Sequence, residues 1–322
     1  MKSIHPQHRC GIVFTGGKGG SLRPFIHYLK GSTLPKPYVN FIGTRSMIEH
    51  TLDRAERLIR RECLMTVVTR DHLSHPEVQR QLANRRWETV VVQPDDRDTG
   101  PAILLSLLHL RKRCPGSTVA VFPSDHFIVE EELFMSQVAM AFYLVESNPA
   151  SLVLLGIEPE PPETDYPYIL TNGEAEDLAP SGARNVRLLA EQPRAALAGA
   201  VAAHAGLWNT MTMVFNLDAI FELIRRFSPE LYASFQSVEK ALGTRAERAA
   251  VEETYRRLKP ASFSREVLER SALLNPGQVY VLPVAGVFWS DWGSEPRILN
   301  SLKKTGYLNR LQKTADGRLP LG

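Results

Sequence analysis

Four glycines fall within five positions at Gly16-Gly17-Lys18-Gly19-Gly20, directly after the apolar run Gly11-Ile12-Val13-Phe14-Thr15. With no Cβ in the way, successive backbone N–H groups of such a loop can converge on an anion, which makes it a candidate phosphate cradle. It lacks the Gly-Lys-Ser/Thr ending of a P-loop and the GxGxxG spacing of a dinucleotide fold, so a tight turn accounts for it as well. Lys36, between two prolines in Leu34-Pro35-Lys36-Pro37, stands in a stiff turn from which an ammonium can be aimed at a phosphate; a solvated surface lysine is the plainer reading. Asp125, in Phe122-Pro123-Ser124-Asp125-His126, puts a carboxylate where it could hold Mg²⁺. Asp291, in Trp289-Ser290-Asp291-Trp292-Gly293, adds a second acid in a turn. Either aspartate alone serves equally as a turn or cap residue. Asp98 and Thr99, in Arg97-Asp98-Thr99-Gly100-Pro101, precede a helical stretch and can cap it.

The elements that must position these residues alternate over the first half of the chain. Strand-like runs occur at 11–15, 64–69, 89–93, 118–122 and 151–157, and helical patterns at 46–59, 76–83, 101–112 and 130–146. Such alternation predicts an α/β fold, a Rossmann-like, mostly parallel sheet with helices on both faces. Ligands in such sheets bind at the carboxyl ends of strands, and both the glycine loop and the Asp125 turn follow strands directly. After a Pro-rich stretch at 158–164 the rhythm changes. Strands are expected at 186–191, 212–215 and 278–283, mostly helix from 217 to about 270, and a helix at 294–303 with Ser294 as N-cap. The expected organisation is a core over 1–216 and a smaller, mostly helical, substrate-binding C-terminal part over 217–322, packed on the same domain.

Composition narrows the partners. The chain has 322 residues, 43% hydrophobic and 23% charged, as soluble globular proteins do. With 38 Lys+Arg against 35 Asp+Glu the net charge is +3, too balanced to point to nucleic acid. No apolar stretch approaches the roughly 18 residues of a membrane span, and the first residues lack a signal-peptide core. Cys10, Cys63 and Cys114 are far apart and odd in number, with no metal-ligand spacing, so they read as reduced thiols of a cytoplasmic protein. Trp208, Trp289 and Trp292 read as core or pocket walls, His72 and His75 as surface residues, and the Arg-Arg pairs at 60–61, 85–86 and 225–226 as solvated faces.

Taken in order, Gly-Gly-x-Gly, Pro-Lys-Pro, Arg-Asp-Thr-Gly-Pro-Ala-Ile, Pro-Ser-Asp-His, Glu-x-Pro, Leu-Trp-Asn and Ser-Asp-Trp-Gly resemble the sugar-1-phosphate nucleotidyltransferases, most of all the mannose-1-phosphate guanylyltransferases. Each motif is weak; seven in this order, over about residues 11–299, are specific. The resemblance implies that Gly16, Gly17, Gly19 and Gly20 cradle the phosphates of GTP and that Lys36 neutralises the α-phosphate region. It implies that Arg97, Thr99 and Gly100 lie by the base and ribose, with Ser124 near the nucleoside. Asp125 and Asp291 would hold Mg²⁺, Glu191 and Asn209 would bond sugar hydroxyls, and Tyr166 and Tyr168 would line the sugar pocket. The partners implied are GTP and a sugar 1-phosphate, with a homodimer left open. The chain ends soon after the Asp291 motif, so no appended β-helix or second enzymatic domain is expected.

Three positions depart from the family pattern. Its loop arginine falls on Ser21, its Glu-Lys-Pro is Glu191-Gln192-Pro193, and its Gly-Tyr-Gly-Tyr is Asp165-Tyr166-Pro167-Tyr168. A charge-assisted hydrogen bond contributes about 1.5–3 kcal/mol, so losing two cations costs about two to four powers of ten in rate unless Arg23, Lys18 or Arg194 compensates. Two expectations follow: an enzyme making a GDP-sugar and pyrophosphate, or a weakly active or inactive nucleotide-binding regulator on the same fold.

Overall fold

The computed structural model describes residues 8–16, 20–159, 166–175, 181–191, 206–275 and 277–311. Strands β1 (Arg9–Phe14), β2 (Leu64–Thr69), β3 (Val90–Gln93), β4 (Thr118–Pro123), β5 (Phe127–Ile128), β6 (Leu152–Ile157), β7 (Tyr168–Glu174), β8 (Arg184–Ala190), β9 (Leu207–Asn216), β10 (Val279–Val284) and β11 (Trp289–Ser290) form one nine-stranded sheet and one two-stranded ribbon. The large sheet runs β3-β2-β1-β4-β9-β6-β10-β8-β7.

Strands β3, β2, β1 and β4 pair in parallel, as do β6 and β10. The expected mostly parallel sheet is nevertheless a mixed one. The ten-residue β9 inserts antiparallel between β4 and β6, and β8 and β7 add antiparallel pairings at the far edge. Local alternation reads the parallel half because each crossover there is helical and joins strands that follow one another along the chain. Strand β9 enters from far along the chain, and no local pattern encodes its slot. Past residue 216 the chain is helical in pieces through Leu274 and then returns β10 to the interior of the sheet, so the C-terminal part shares the core.

The helices hold the carboxyl-edge turns. Helix Met47–Ala55 opens with a capping box: Ser46 N–H donates to Glu49 Oε2 at 2.7 Å and Glu49 N–H to Ser46 Oγ at 3.4 Å. Near its end, buried Arg54 donates to Glu131 Oε1 at 2.9 Å and to the His126 carbonyl at 3.3 Å, pinning the turn that carries Asp125. Helix Thr99–Arg113 packs on β1, β2 and β3, and helix Glu131–Ser147 on β4, β6 and β9. In the pair Arg85-Arg86, Arg86 is exposed as expected but Arg85 is not. Arg85 is buried, donates to the Leu64 carbonyl at 2.6 Å and is ion-paired with Glu56. Ser294 precedes helix Glu295–Lys304 as expected, yet its side chain makes no capping bond. The three cysteines, far apart in sequence, converge at their sulfurs: β1, which carries Cys10, lies between β2 and β4, with Cys63 at the entry to β2 and Cys114 at the end of the helix that leads to β4. Among the described residues no helix is long and apolar enough to cross a membrane.

Candidate functional site

The short ribbon brings the two aspartates together. Strands β5 and β11 pair antiparallel, Phe127 opposite Ser290 and Ile128 opposite Trp289, so the turns holding Asp125 and Asp291 meet at the ribbon's end. Lys36 sits between them. Its Nζ donates to Asp125 Oδ2 at 2.9 Å and to the Asp291 carbonyl at 2.7 Å, and the side chain is only 8% exposed. Burial works to raise the Asp125 pKa, but Lys36 and the neighbouring His126 outweigh it and hold the carboxyl below the usual range. Burial also lowers the His126 pKa to about 4, against the pull of both Asp125 and Asp291, so the imidazole is neutral at pH 7.

Asp291 is oriented from its own side of the site. Arg297 Nη1 donates to its two carboxylate oxygens at 2.9 and 3.0 Å, and Gly293 N–H donates to Oδ1 at 2.8 Å. The guanidinium also lies 4.0 Å from the ring centre of Tyr166, whose hydroxyl is 3.3 Å from Ser290 Oγ. Tyr166, Trp208, Trp289 and Arg297 share a cavity of about 350 Å³. Tyr168 differs from its neighbour Tyr166: it is fully buried within β7, a core position.

On the other side of Lys36 lie two hollows of about 470 and 330 Å³ that share Asp96. The smaller is lined by Phe14, Gly16, Gln93, Asp98, Thr99 and Pro260. A Cβ added at Gly16 or Gly20 would meet no atom within 4 Å, so the fold's own packing does not require glycine at either. Gly100 is a different case. Its added Cβ would lie 2.7 Å from the Ala261 carbonyl oxygen, and its N–H donates to that oxygen at 2.8 Å. Asp98 caps the helix as expected, accepting from Thr99 N–H at 2.6 Å, while Thr99 Oγ1 accepts from Phe263 N–H at 2.9 Å. Arg97, ion-paired with Asp95, gives its carbonyl to Ala261 N–H. Ser124 is buried, and its N–H donates to Phe14 O. The 97–100 loop is thereby stitched to the 261–263 segment.

The larger hollow is lined by Lys36, Thr69, His72 and Arg23. His72 is no surface residue. It packs edge-on against Tyr38, lies 3.5 Å from Thr15 Oγ1, and burial lowers its pKa to about 4. Arg23 opens helix Arg23–Lys30 and has no ion-pair partner among the described residues. Ser21, where the resemblance expects arginine, is exposed and donates to the Gly293 carbonyl at 3.3 Å.

Glu191 and Asn209 are each held by residues the sequence did not single out. Glu191 accepts from Ser262 Oγ at 2.9 Å and pairs with Arg265 Nε at 3.0 Å. Asn209 accepts from Met211 N–H and lies on the Met211 sulfur, which Ser264 also meets. Met211, Asp98 and Trp292 are the positive-φ non-glycine residues among the described ones, at φ 56°, 70° and 48°. All three flank these motifs, as stored strain at functional sites does. Of the other expected residues, Gly17, Lys18, Gly19, Asp165, Gln192 and Arg194 lie outside the described residues. A further cavity of about 980 Å³ shares His126 and Trp292 with this region but none of the glycine-loop or 97–100 residues. Arg297 and Arg265 carried no motif signal, since their roles depend on partners 6 and 74 positions away.

The nucleotidyl transferase family model matches residues 10–305. The chain is 28% identical over 301 residues to the xanthan biosynthesis protein XanB of Xanthomonas campestris pv. campestris (strain B100), covering 92% of this chain and 60% of that protein. It is 29% identical over 290 residues to the mannose-1-phosphate guanylyltransferase of Escherichia coli (strain K12), covering 88% and 57%. The chain thus spans about three fifths of the length of these curated relatives. Among solved structures it is similar to one described as mannose-1-phosphate geranyltransferase from Thermus thermophilus, with TM-score 0.74, 25% identity, and coverage of 88% of this chain and 76% of that one.

Proposed function

The chain belongs to the nucleotidyl transferase family, among the sugar-1-phosphate nucleotidyltransferases, and from that premise we propose that it transfers GMP from GTP to mannose 1-phosphate, giving a GDP-sugar and pyrophosphate. The observation that carries this reading is Lys36, buried between the Asp125 carboxylate and the Asp291 carbonyl, which joins three motifs from distant parts of the sequence at one point. In the reaction a phosphate oxygen of the sugar phosphate attacks the α-phosphorus in line. The new P–O bond forms as the bond to the β-phosphate bridging oxygen breaks, and pyrophosphate leaves with that electron pair. The nucleophile is already an anion, so no general base is required. Positioning and charge neutralisation carry the catalysis.

The residues divide that work. Lys36 neutralises charge at the α-phosphate, and Arg23, unpaired among the described residues beside the same hollow, stands in for the loop arginine that Ser21 replaces. The hollow beside Gly16 and Thr99 takes the nucleoside, held open by the stitching of the 97–100 loop to Ala261 and Phe263. Glu191 and Asn209 face the sugar. Asp125 and Asp291 suit Mg²⁺: both are partly exposed carboxylates, at 31% and 30%, and an oxygen donor set is the kind this hard cation prefers. When bound, Mg²⁺ supplies charge neutralisation to both phosphate-bearing reactants. Arg297 keeps the Asp291 carboxylate oriented for that role.

A second reading, nucleotide binding without turnover, is favoured by Ser21 in place of the loop arginine and by Glu191 already paired with Arg265. Pyrophosphate release with GTP, mannose 1-phosphate and Mg²⁺ separates the two. Turnover supports the enzyme. A rise in melting temperature with GTP and no release with any nucleotide or sugar phosphate supports the binding protein.

A further inference from the structure

At the amino edge of the sheet, opposite the glycine loop and the Asp125 turn, three thiols converge. Cys10 is the second residue of β1, Cys63 ends the turn Arg61–Cys63 that enters β2, and Cys114 closes helix Thr99–Arg113 on its way back to β4. Strand β1 lies between β2 and β4, so the topology delivers the three side chains to one place. Their sulfur atoms lie within 4.8 Å of one another, with Cys63 and Cys114 at 3.9 Å. Cys10 and Cys63 are buried, while Cys114 is half-buried and leaves one side of the cluster open.

Free cysteines often pack as small hydrophobes, and two touching thiols need no further account. Three sulfurs from three separate elements at this spacing are a different matter. A tetrahedral Zn–S distance of about 2.3 Å places sulfurs about 3.8 Å apart, so the Cys63–Cys114 pair already fits and Cys10 needs a shift of at most about 1 Å. Polar company is also present. Buried Ser117 Oγ lies by Cys10, where it favours the thiolate, and it has no oxygen or nitrogen partner among the described residues. Burial pushes the Cys10 and Cys63 thiols up, while Ser117 at Cys10 and Arg60 at Cys63 favour the ionised forms.

We propose that Cys10, Cys63 and Cys114 form a site for a thiophilic divalent metal ion of the Zn²⁺ class, three thiolates around the ion with a fourth position open on the Cys114 side. Binding displaces one proton from each thiol to solvent and involves no oxidation. Three thiolates and a dication leave a single negative charge beside Arg60, a smaller burden for a buried site than a monovalent ion would leave. The site is remote from the carboxylates at the other edge and differs from them in kind, sulfur against oxygen, so the two select different metals. Its work is to fasten β1, the β2 entry and the helix end, not to touch substrate. The competing chemistry, a Cys63–Cys114 disulfide, requires an external oxidant and leaves Cys10 without a part.

The test is a titration of the reduced full chain with Cd²⁺, read by the thiolate-to-metal charge-transfer absorbance, with Zn²⁺ as competitor. The expected result is saturation at one Cd²⁺ per chain, displacement by Zn²⁺, and a thermal midpoint raised by several degrees. Cys114→Ser, a half-buried and near-isosteric change that keeps the fold, removes the absorbance and the thermal shift, and Cys63→Ala does the same. Absence of a saturable charge-transfer band overturns the proposal, as does an unchanged titration in Cys114→Ser. So does a Cys63–Cys114 disulfide in a chain whose reduced form takes up no Cd²⁺.

Discussion

Lys36 makes two short polar contacts from a nearly buried position, and replacing it removes both at once. Lys36→Met is expected to lower kcat/KM by about one to two powers of ten, the equivalent of one charge-assisted hydrogen bond. It also leaves Asp125 with burial and without its main counter-charge. The folded pKa of Asp125 is depressed, so its stabilisation is full above the unfolded value of about 3.9 and is lost as pH falls through the folded value. In Lys36→Met the main cause of that depression is gone, so the stability that Asp125 adds as pH rises through the acid range shrinks, and urea midpoints measured between about pH 3 and pH 5 rise less steeply than in the wild type. Arg23 is tested by a pair of changes. Arg23→Ala raises the KM for nucleotide by about tenfold, the loss of one charge-assisted contact, and Ser21→Arg added to it restores part of the loss. An Arg23→Ala enzyme with wild-type KM contradicts its assignment to the phosphates. The lysine was legible in the sequence because two prolines frame it; Arg297 and Arg265 were not, since a lone arginine carries no spacing signal until its carboxylate partner is placed beside it.

Among the elements, the 97–100 loop and the 261–263 segment are joined beside the hollow that Gly16, Asp98, Thr99 and Pro260 line. Three hydrogen bonds join them: Ala261 N–H to Arg97 O at 3.2 Å, Gly100 N–H to Ala261 O at 2.8 Å, and Phe263 N–H to Thr99 Oγ1 at 2.9 Å. Gly100→Ala drives a methyl against the Ala261 carbonyl and breaks this seam. With two or three bonds at about 1 kcal/mol each, stability falls by about 2–3 kcal/mol in a denaturant melt, and nucleotide KM rises with it. Glycine at position 100 is therefore explained by a close backbone approach, which the motif alone assigned to the nucleotide. The five strands of the first half were readable to within a residue or two, but the helix read at 46–59 ends at Ala55 and the short helices Arg23–Lys30 and Arg70–Leu73 were not read. The two-residue ribbon of β5 and β11 was not, being too short to show a period, and yet it sets Asp125 beside Asp291. Strand β9 was read as 212–215, because Leu207-Trp208-Asn209 stood out as a motif and not as the first half of a ten-residue strand.

At the scale of the molecule, four histidines among the described residues have pKa values lowered by burial: His50, His109, His72 and His126, the last two to about 4. The unfolded chain takes up protons at these residues below about 6.5, while the folded chain resists, at His72 and His126 until near 4. Stability is therefore full above about 6.5, falls as pH drops toward 4, and loses nothing more to His72 or His126 below that. Urea midpoints measured across this range should fall steadily, and His72→Gln should flatten the slope; a flat profile in the wild type contradicts the burial of these rings. At this scale the sequence conveyed the family through motif order, because the motifs sit on turns at one sheet edge whatever the strand order behind them. It could not convey the mixed sheet or the meeting of Cys10, Cys63 and Cys114, since both follow from which strands become neighbours.

The central claim is that Lys36, Asp125 and Asp291 form a working nucleotidyl-transfer site despite Ser21. It is tested most directly by pyrophosphate release from GTP and mannose 1-phosphate in the presence of Mg²⁺, with Asp125→Asn as the control. The account predicts steady release by the wild type, abolished in Asp125→Asn while that variant keeps the wild-type circular dichroism spectrum at the assay temperature. Wild-type protein that binds GTP but releases no pyrophosphate with any sugar 1-phosphate, or an Asp125→Asn variant as fast as the wild type, would contradict it.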